Sequence, residues 1–273
     1  MSLHGPLGSQ VEDPEQYSPD VLHPIPRLDG RSRLNVQGDL PFAGVDIWNA
    51  YEMSWLNERG KPLVACGEFH FPADSPNIIE SKSFKLYLNS FNQGRWASTD
   101  AVQKTLQNDL SAACGAPVTV VLHRPEAWPG GLGIDAMRGQ CLDEQDIEMR
   151  DYQPDAALLA CHDDRQLAQS YYSHLLRSRC PVTGQPDWAS VHICCDGPKL
   201  DEAALLRYLV SFRQQNDFHE QCVEQIFCDI WRQCQPESLT VYARYLRRGG
   251  LDINPWRSSD PSAKPLNSRE FRQ

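Results

Sequence analysis

Tyr87-Leu88-Asn89-Ser90-Phe91 and Tyr208-Leu209-Val210-Ser211-Phe212 share Tyr, Leu, Ser and Phe at the same positions, 121 residues apart. The same offset, without a gap, sets Phe84 against Leu205, Gln93 against Gln214, Val102 against Val223 and Thr119-Val120 against Thr240-Val241; upstream it pairs Tyr51 with Tyr172. A pentapeptide match can arise by chance, but a constant offset through successive helix and strand patterns points to two copies of one unit. Within each copy Phe84, Tyr87, Leu88 and Phe91, or Leu205, Tyr208, Leu209 and Phe212, follow the i, i+3, i+4, i+7 spacing of one helix face. A second helix follows. In the first copy Ser98 or Thr99 can cap it and Val102, Leu106 and Leu110 line it; its counterpart carries Val223, Phe227, Ile230 and Trp231.

Strand patterns flank these helices at Asp46–Leu56, Leu63–Phe71 and Pro117–Leu122, then at Tyr171–Arg177, Ser190–Cys195 and Ser238–Leu246. The expected module is strand, strand, helix, helix, strand, strand. That is an α+β layer, an antiparallel sheet with two helices on one face. The division expected is an extended or partly disordered arm over residues 1–35, a first module over 36–142, an acidic linker over 143–165, a second module over 166–258 and a polar tail over 259–273.

Composition narrows the function. The chain has 273 residues, enough for two cores. Its 26 Lys+Arg against 36 Asp+Glu give a net charge of −10, which disfavours a general nucleic-acid clamp. The longest apolar runs, such as Ala156–Cys161, are far short of the roughly 18 residues of a membrane-spanning helix. Pro6, Glu12, Asp13, Pro14 and Glu15 stand where an export signal needs an apolar core, so a cytoplasmic protein is expected. There is no Cys-x-x-Cys among the ten cysteines and Cys194-Cys195 are adjacent, so no zinc site is expected, and most of these thiols read as small buried side chains.

Four segments can carry chemistry, each with a plainer reading beside it. Glu80-Ser81-Lys82-Ser83 opens the first helix; Glu80 and the serines can simply serve the helix start, or the N–H groups there with Lys82 can hold an anion. Cys180 and Asp187 flank the turn Cys180-Pro181-Val182-Thr183-Gly184-Gln185-Pro186-Asp187-Trp188; they are a buried thiol and a turn carboxylate, or a nucleophile and a proton donor. His219-Glu220 opens the second helix of the second copy; Glu220 either serves the dipole or accepts two hydrogen bonds from an N–H/NH2 edge. Arg244, Arg247 and Arg248 before Gly249-Gly250 are a solvated strand end or a phosphate site. At offset 121 Cys180 matches Arg59, His219-Glu220 matches Ser98-Thr99, and Glu80 matches Asp201. Each copy keeps a different part, as expected of two diverged halves that build one site.

With these motifs in order, the chain resembles the NADPH-dependent nitrile reductases of queuosine biosynthesis, the QueF family, in its long two-module form. The resemblance rests on Glu80-Ser81-Lys82-Ser83-Phe84-Lys85-Leu86-Tyr87, the turn Cys180–Trp188, His219-Glu220 and Arg247-Arg248-Gly249-Gly250-Leu251-Asp252-Ile253-Asn254-Pro255, and it spans residues 34–256. It implies tandem tunnelling-fold (T-fold) modules and reduction of the nitrile of 7-cyano-7-deazaguanine, with NADPH, to 7-aminomethyl-7-deazaguanine. It also implies that Cys180 forms a covalent thioimide and Asp187 supplies protons. Ile79, Glu80, Ser81, His219 and Glu220 are implied to bind the base, and Ser81, Lys82, Arg248 and Gly249 the NADPH. The implied partner is a small molecule, and the implied assembly is a homodimer, with neither nucleic acid nor membrane involved. A Rossmann Gly-x-Gly-x-x-Gly pattern is missing, so the cofactor has to be held otherwise. The alternatives are a zinc-dependent, GTP cyclohydrolase-like enzyme of the same fold and a non-catalytic purine- or pterin-binding module.

Overall fold

The computed structural model describes residues 14, 16–34, 36, 39–130 and 134–273. The chain groups into two compact units. The first holds residues up to Gly30, Asp46–Gly133 and Arg247–Asp252; the second holds Arg31–Val45, Ile134–Leu246 and Ile253–Gln273.

The first unit contains β1 (Pro24–Pro26), most of α1 (Arg27–Arg31), most of β2 (Ala43–Asn57), β3 (Pro62–Pro72), β4 (Asn77–Ile79), α2 (Ser81–Asn89), β5 (Arg95–Trp96), α3 (Thr99–Cys114) and β6 (Thr119–His123). β3 lies between β2 and β6, antiparallel to β6, with Phe69 opposite Val120. Alternate residues of β3 (Ala65, Gly67, Phe69 and Phe71) are buried, as expected of a sheet with one face covered. Trp48, Phe69 and Phe84 form the centre of this core, the Phe84 ring meeting each of the other two edge-on at 5.1 Å. Val102, Leu106, Leu110 and Cys114 form one buried stripe of α3, whose first turn is capped by Ser98 and whose end is closed by Gly115 at φ 79°.

The second unit contains β7 (Gln140–Cys141), β8 (Cys161–Arg179), β9 (Pro186–Leu200), α4 (Glu202–Ser211), α5 (His219–Cys234), β10 (Ser238–Tyr245) and most of β11 (Leu251–Ser258). Its strands run in the order β7-β8-β9-β10-β11. Val191, Ile193 and Cys195 of β9 and Leu239, Val241, Ala243 and Tyr245 of β10 join Leu205, Tyr208, Leu209, Val223, Phe227 and Ile230 of the helices in one core. Glu224 of α5 is buried between Arg31 at 2.7 and 2.8 Å and Arg257 at 2.8 and 3.1 Å. Both guanidiniums also lie over the Phe42 ring. This tie holds residues 31–45 to the second unit.

The repeat is visible in side-chain detail. Tyr87 and Phe91 meet edge-on at 5.2 Å and Tyr208 and Phe212 at 5.4 Å. The tyrosine hydroxyls donate to Asp109 and Asp229, and Ser90 and Ser211 each donate back to the tyrosine carbonyl at 2.6 Å. The ungapped offset does not hold throughout, however. α2 and α4 start 121 residues apart, but α3 and α5, with their left-handed caps Gly115 and Gln235, are 120 apart. Ser98 therefore corresponds to Phe218, and His219 corresponds to Thr99. The fourth strand also belongs to one copy alone: β11 has no counterpart after β6 among the described residues.

Two expectations about the ends change as well. The described part of the arm is ordered. Residues 24–26 pair with 77–79, and Arg27, buried, donates to Asp46 at 2.6 Å and Ser75 at 3.0 Å. Residues 1–13, 15 and 35 lie outside the described residues. The polar tail ends buried. The Gln273 amide donates to Tyr245 O and Asn254 Oδ1, both at 2.8 Å, and its oxygen accepts from Arg244 Nε and from the N–H of Glu270.

Candidate active site

The predicted site residues fall into two groups, one in each unit. In the second unit β8 and β9 form a hairpin whose turn starts at Cys180. Gly184 N–H donates to Cys180 O and Cys180 N–H donates to Gln185 O, both at 2.9 Å, with Gly184 at φ 66°. Ser178 sits opposite Asp187 in the ladder. Cys180 is two residues beyond Ser178, so it shares a face with Ser178 and Asp187 and lies diagonal to the carboxylate. Both are buried, Cys180 at 9% exposure and Asp187 at 4%.

His219 and Tyr245 complete this group. The His219 ring stacks on Tyr245 at 3.8 Å and 4°. Its Nε2 is 3.4 Å from Asp187 Oδ2, and its Nδ1 is buried with no hydrogen-bond partner among the described residues. An imidazole held by stacking on one side and a carboxylate on the other is fixed in orientation, with one nitrogen left for a ligand. Tyr245 is fully buried beside Cys222 and Asp187, and burial raises its hydroxyl far above the usual phenol range. Burial likewise pushes the Cys222 thiol up, with Asp217 and Asp187 adding in the same direction, so Cys222 stays protonated. Glu220 is 3% exposed in the first turn of α5. Phe218 stands at the N-cap of that helix, where its side chain cannot accept a hydrogen bond, and Gln221 Oε1 reaches back to the Phe218 N–H at 3.2 Å. Ser98 fills the equivalent place in α3, so the two copies differ at this cap, next to the predicted base-binding pair.

In the first unit Glu80 is the N-cap of α2. Its two oxygens accept from Lys82 N at 2.7 Å and Ser83 N at 2.8 Å, and it is fully buried. Burial raises its pKa, while the two N–H groups work in the opposite direction without cancelling it. His23 brackets the same turn, with its carbonyl accepting from Glu80 N and its N–H donating to Ser83 Oγ. Ile79 is buried beneath; Ser81 and Lys82 are half-exposed.

Arg248 and Gly249 belong to the segment Arg247–Asp252, held on β2. Asp252 accepts from Asn49 at 2.8 Å and Tyr51 at 2.7 Å, and Gly250 O accepts from Tyr51 N. Gly249 and Gly250 both have positive φ, 58° and 71°. The positive φ of Gly250 strains any other residue there, and a Cβ would also press on the Glu52 side chain. The side chain of Lys85 runs beside Gly249, one helical turn from Lys82. The Arg247 guanidinium lies over the Tyr51 ring at 4.6 Å. Cations beside a turn of bare backbone suit a ligand carrying phosphates, so this set fits NADPH. Lys85, Tyr245 and Ser178 were not singled out in the sequence. Tyr245 continues the Val241, Ala243 alternation and reads only as core.

Among the described residues no group of three or more His, Cys, Asp or Glu could hold a metal ion. No helix there is long and apolar enough to cross a membrane.

Comparison with known families assigns residues 13–122 to a model described as nitrile reductase, 7-cyano-7-deazaguanine-reductase N-term, and residues 186–264 to one described as QueF-like protein. The chain belongs to the QueF family of nitrile reductases. Curated relatives agree over the full length. A protein of Bordetella parapertussis is 55% identical over 274 residues, covering all of both chains. One of Dechloromonas aromatica is 56% identical over 269 residues, covering 98% of this chain and 95% of the relative. One of Burkholderia ambifaria is 54% identical over 271 residues, covering 99% and 98%. Each is named NADPH-dependent 7-cyano-7-deazaguanine reductase. The α+β units are therefore tandem tunnelling-fold modules. Neither the zinc-dependent nor the non-catalytic alternative finds support in these relatives.

Proposed function

We propose that this family member reduces the nitrile of 7-cyano-7-deazaguanine to the primary amine with NADPH, using Cys180 as nucleophile and Asp187 as proton donor. The observation that carries the residue roles is the hairpin from Cys180 to Asp187. It sets a thiol and a carboxyl group diagonally on one buried face, with His219 fixed against the carboxylate. A nitrile carbon is a poor acceptor until a nucleophile adds to it. As the Cys180 sulfur forms the C–S bond its thiol proton passes to the Asp187 carboxylate, one π pair of the nitrile moves to nitrogen, and that nitrogen takes the proton from Asp187, leaving a neutral thioimide on the enzyme. The C–S bond later breaks with its electron pair returning to sulfur, which regains its proton as the thiol, and the whole change from nitrile to amine takes two hydrides, one from each of two NADPH.

His219 and Glu220 hold the base in this reading. Glu220 accepts from the ring N–H and exocyclic NH2, and His219 Nδ1 meets a further polar atom of the ligand. Ile79, Glu80 and Ser81 are assigned to base binding by the family resemblance. Ser81, Lys82, Arg248 and Gly249, joined by Lys85, hold NADPH, which when bound supplies hydride. The enzyme is read as a cytoplasmic homodimer acting on a free base. Purified protein should consume NADPH when given the nitrile base and release the amine. The nitrile base leaving NADPH unconsumed would refute the assignment, and light scattering would test the dimer.

A further inference from the structure

Arg177, Arg179 and Arg213 gather around Trp188, beside the hairpin that carries Cys180. The Arg177 and Arg213 guanidiniums lie over the Trp188 ring at 5.3 and 5.4 Å. Trp188 is opposite Arg177 in the ladder and Pro186 is opposite Arg179. Strand alternation therefore sends Arg177 and Arg179 to the side away from buried Ser178 and Asp187. Arg213 is drawn in by its carbonyl, which accepts from Arg177 Nη1 at 2.7 Å. Arg179 is fixed through its backbone, its N–H donating to Gln215 O and its carbonyl accepting from Asp217 N–H.

None of the three guanidiniums meets a carboxylate among the described residues, and Nε of both Arg177 and Arg179 is buried with no hydrogen-bond partner. In a chain with a ten-charge excess of acids, three cations collected without one acid call for an explanation. Stacking on Trp188 accounts for two of them but not for Arg179, and it leaves the repulsion in place. Burial, and then the charges of Arg213 and Arg179, hold Arg177 below the usual arginine range. A bound anion would reverse that cost.

We propose that Arg177, Arg179 and Arg213, with Trp188 as a wall, form a binding site for a phosphate group. Planar guanidiniums match phosphate oxygens in geometry as well as charge. Either inorganic phosphate or a phosphate of NADPH would present this group. The phosphate site stands whether or not Cys180 is the nucleophile.

The test is titration of the full chain with inorganic phosphate, followed by tryptophan fluorescence and by equilibrium dialysis. Phosphate should alter the emission of the wild type but not of Trp188→Phe. In dialysis, affinity should fall about tenfold on each of Arg179→Gln and Arg213→Gln, the scale of a lost charge-assisted contact. An unchanged wild-type spectrum, or affinity within twofold of wild type in the double variant, would overturn the site. If the double variant fails to fold, phenylglyoxal labelling of the wild type serves instead. Phosphate should protect Arg177, Arg179 and Arg213 in peptide mapping, and equal labelling with and without phosphate would overturn the proposal. NADPH and NADH distinguish the sources. A selective loss of NADPH affinity in the double variant assigns the site to the cofactor, and unchanged NADPH affinity with lost phosphate binding assigns it to free phosphate.

Discussion

Replacing Glu80 separates its service to the helix from service to a ligand. Glu80→Ala removes the acceptors of Lys82 N and Ser83 N, the first at a half-exposed residue and the second at a buried one. Loss of an N-cap costs about 1 kcal/mol, and each buried donor left without an acceptor about 1–3 kcal/mol. Removing the buried carboxylate gives back part of its desolvation cost, so the net expectation is roughly 2–4 kcal/mol. The repeat supplies the control. Asp201 caps α4 through one bond, to Ala204 N at 2.7 Å, and is only half-buried. Asp201→Ala should cost about 1 kcal/mol. Urea denaturation, with amide exchange over residues 81–89, measures both. The pH dependence has a definite sign. Burial raises the folded pKa of Glu80 above its reference value of 4.5, so the folded state binds that proton more tightly than the unfolded chain does. Its titration thus favours folding below that value, and the gain is lost as pH rises through the raised pKa. Relative to Glu80→Gln, which does not titrate, the wild type should lose ground from acid toward neutral pH. Glu80→Ala destabilising no more than Asp201→Ala would refute the capping account and leave the carboxylate to a ligand.

Glu220→Gln keeps shape but turns a donor toward the donors of the base; calorimetry should show about 2–4 kcal/mol of lost binding, and unchanged affinity would remove Glu220 from the site. Arg248→Ala should weaken NADPH more than NADH, because only NADPH carries the 2′-phosphate; an equal loss for both would assign the arginine to structure or to the shared pyrophosphate.

Much of the fold was legible because apolar periodicity is set by burial. The Tyr87/Phe91 and Tyr208/Phe212 pairs and the α3 stripe lie where the spacing puts them. The one-residue slip between α3 and α5 was not legible, because apolar residues at 3.6-residue spacing tolerate either alignment; the Ser98 cap and the left-handed residues Gly115 and Gln235 fix it. β1 was hidden by its two prolines, which an edge strand accepts. The tail looked solvated because Gln273 is polar, yet four hydrogen bonds satisfy its amide in the interior. In the site, the contact of His219 with Asp187 is not legible in the sequence, because 32 residues separate them, whereas Glu80 caps its helix, as its place at the helix start suggested. Tyr245 was missed because a stacking partner and a core tyrosine carry the same strand pattern.

The central claim is that one thiol of ten is the nucleophile. Intact-mass analysis with the nitrile base, in the absence of NADPH, tests it. The protein should gain one ligand mass, mapped to the peptide containing Cys180, and Cys180→Ala should lose the adduct while still binding the base. Asp187→Asn should impair turnover severely, since the nitrogen then lacks its acid. An adduct that persists in Cys180→Ala, or that maps to Cys66, Cys194 or Cys222, would contradict the account.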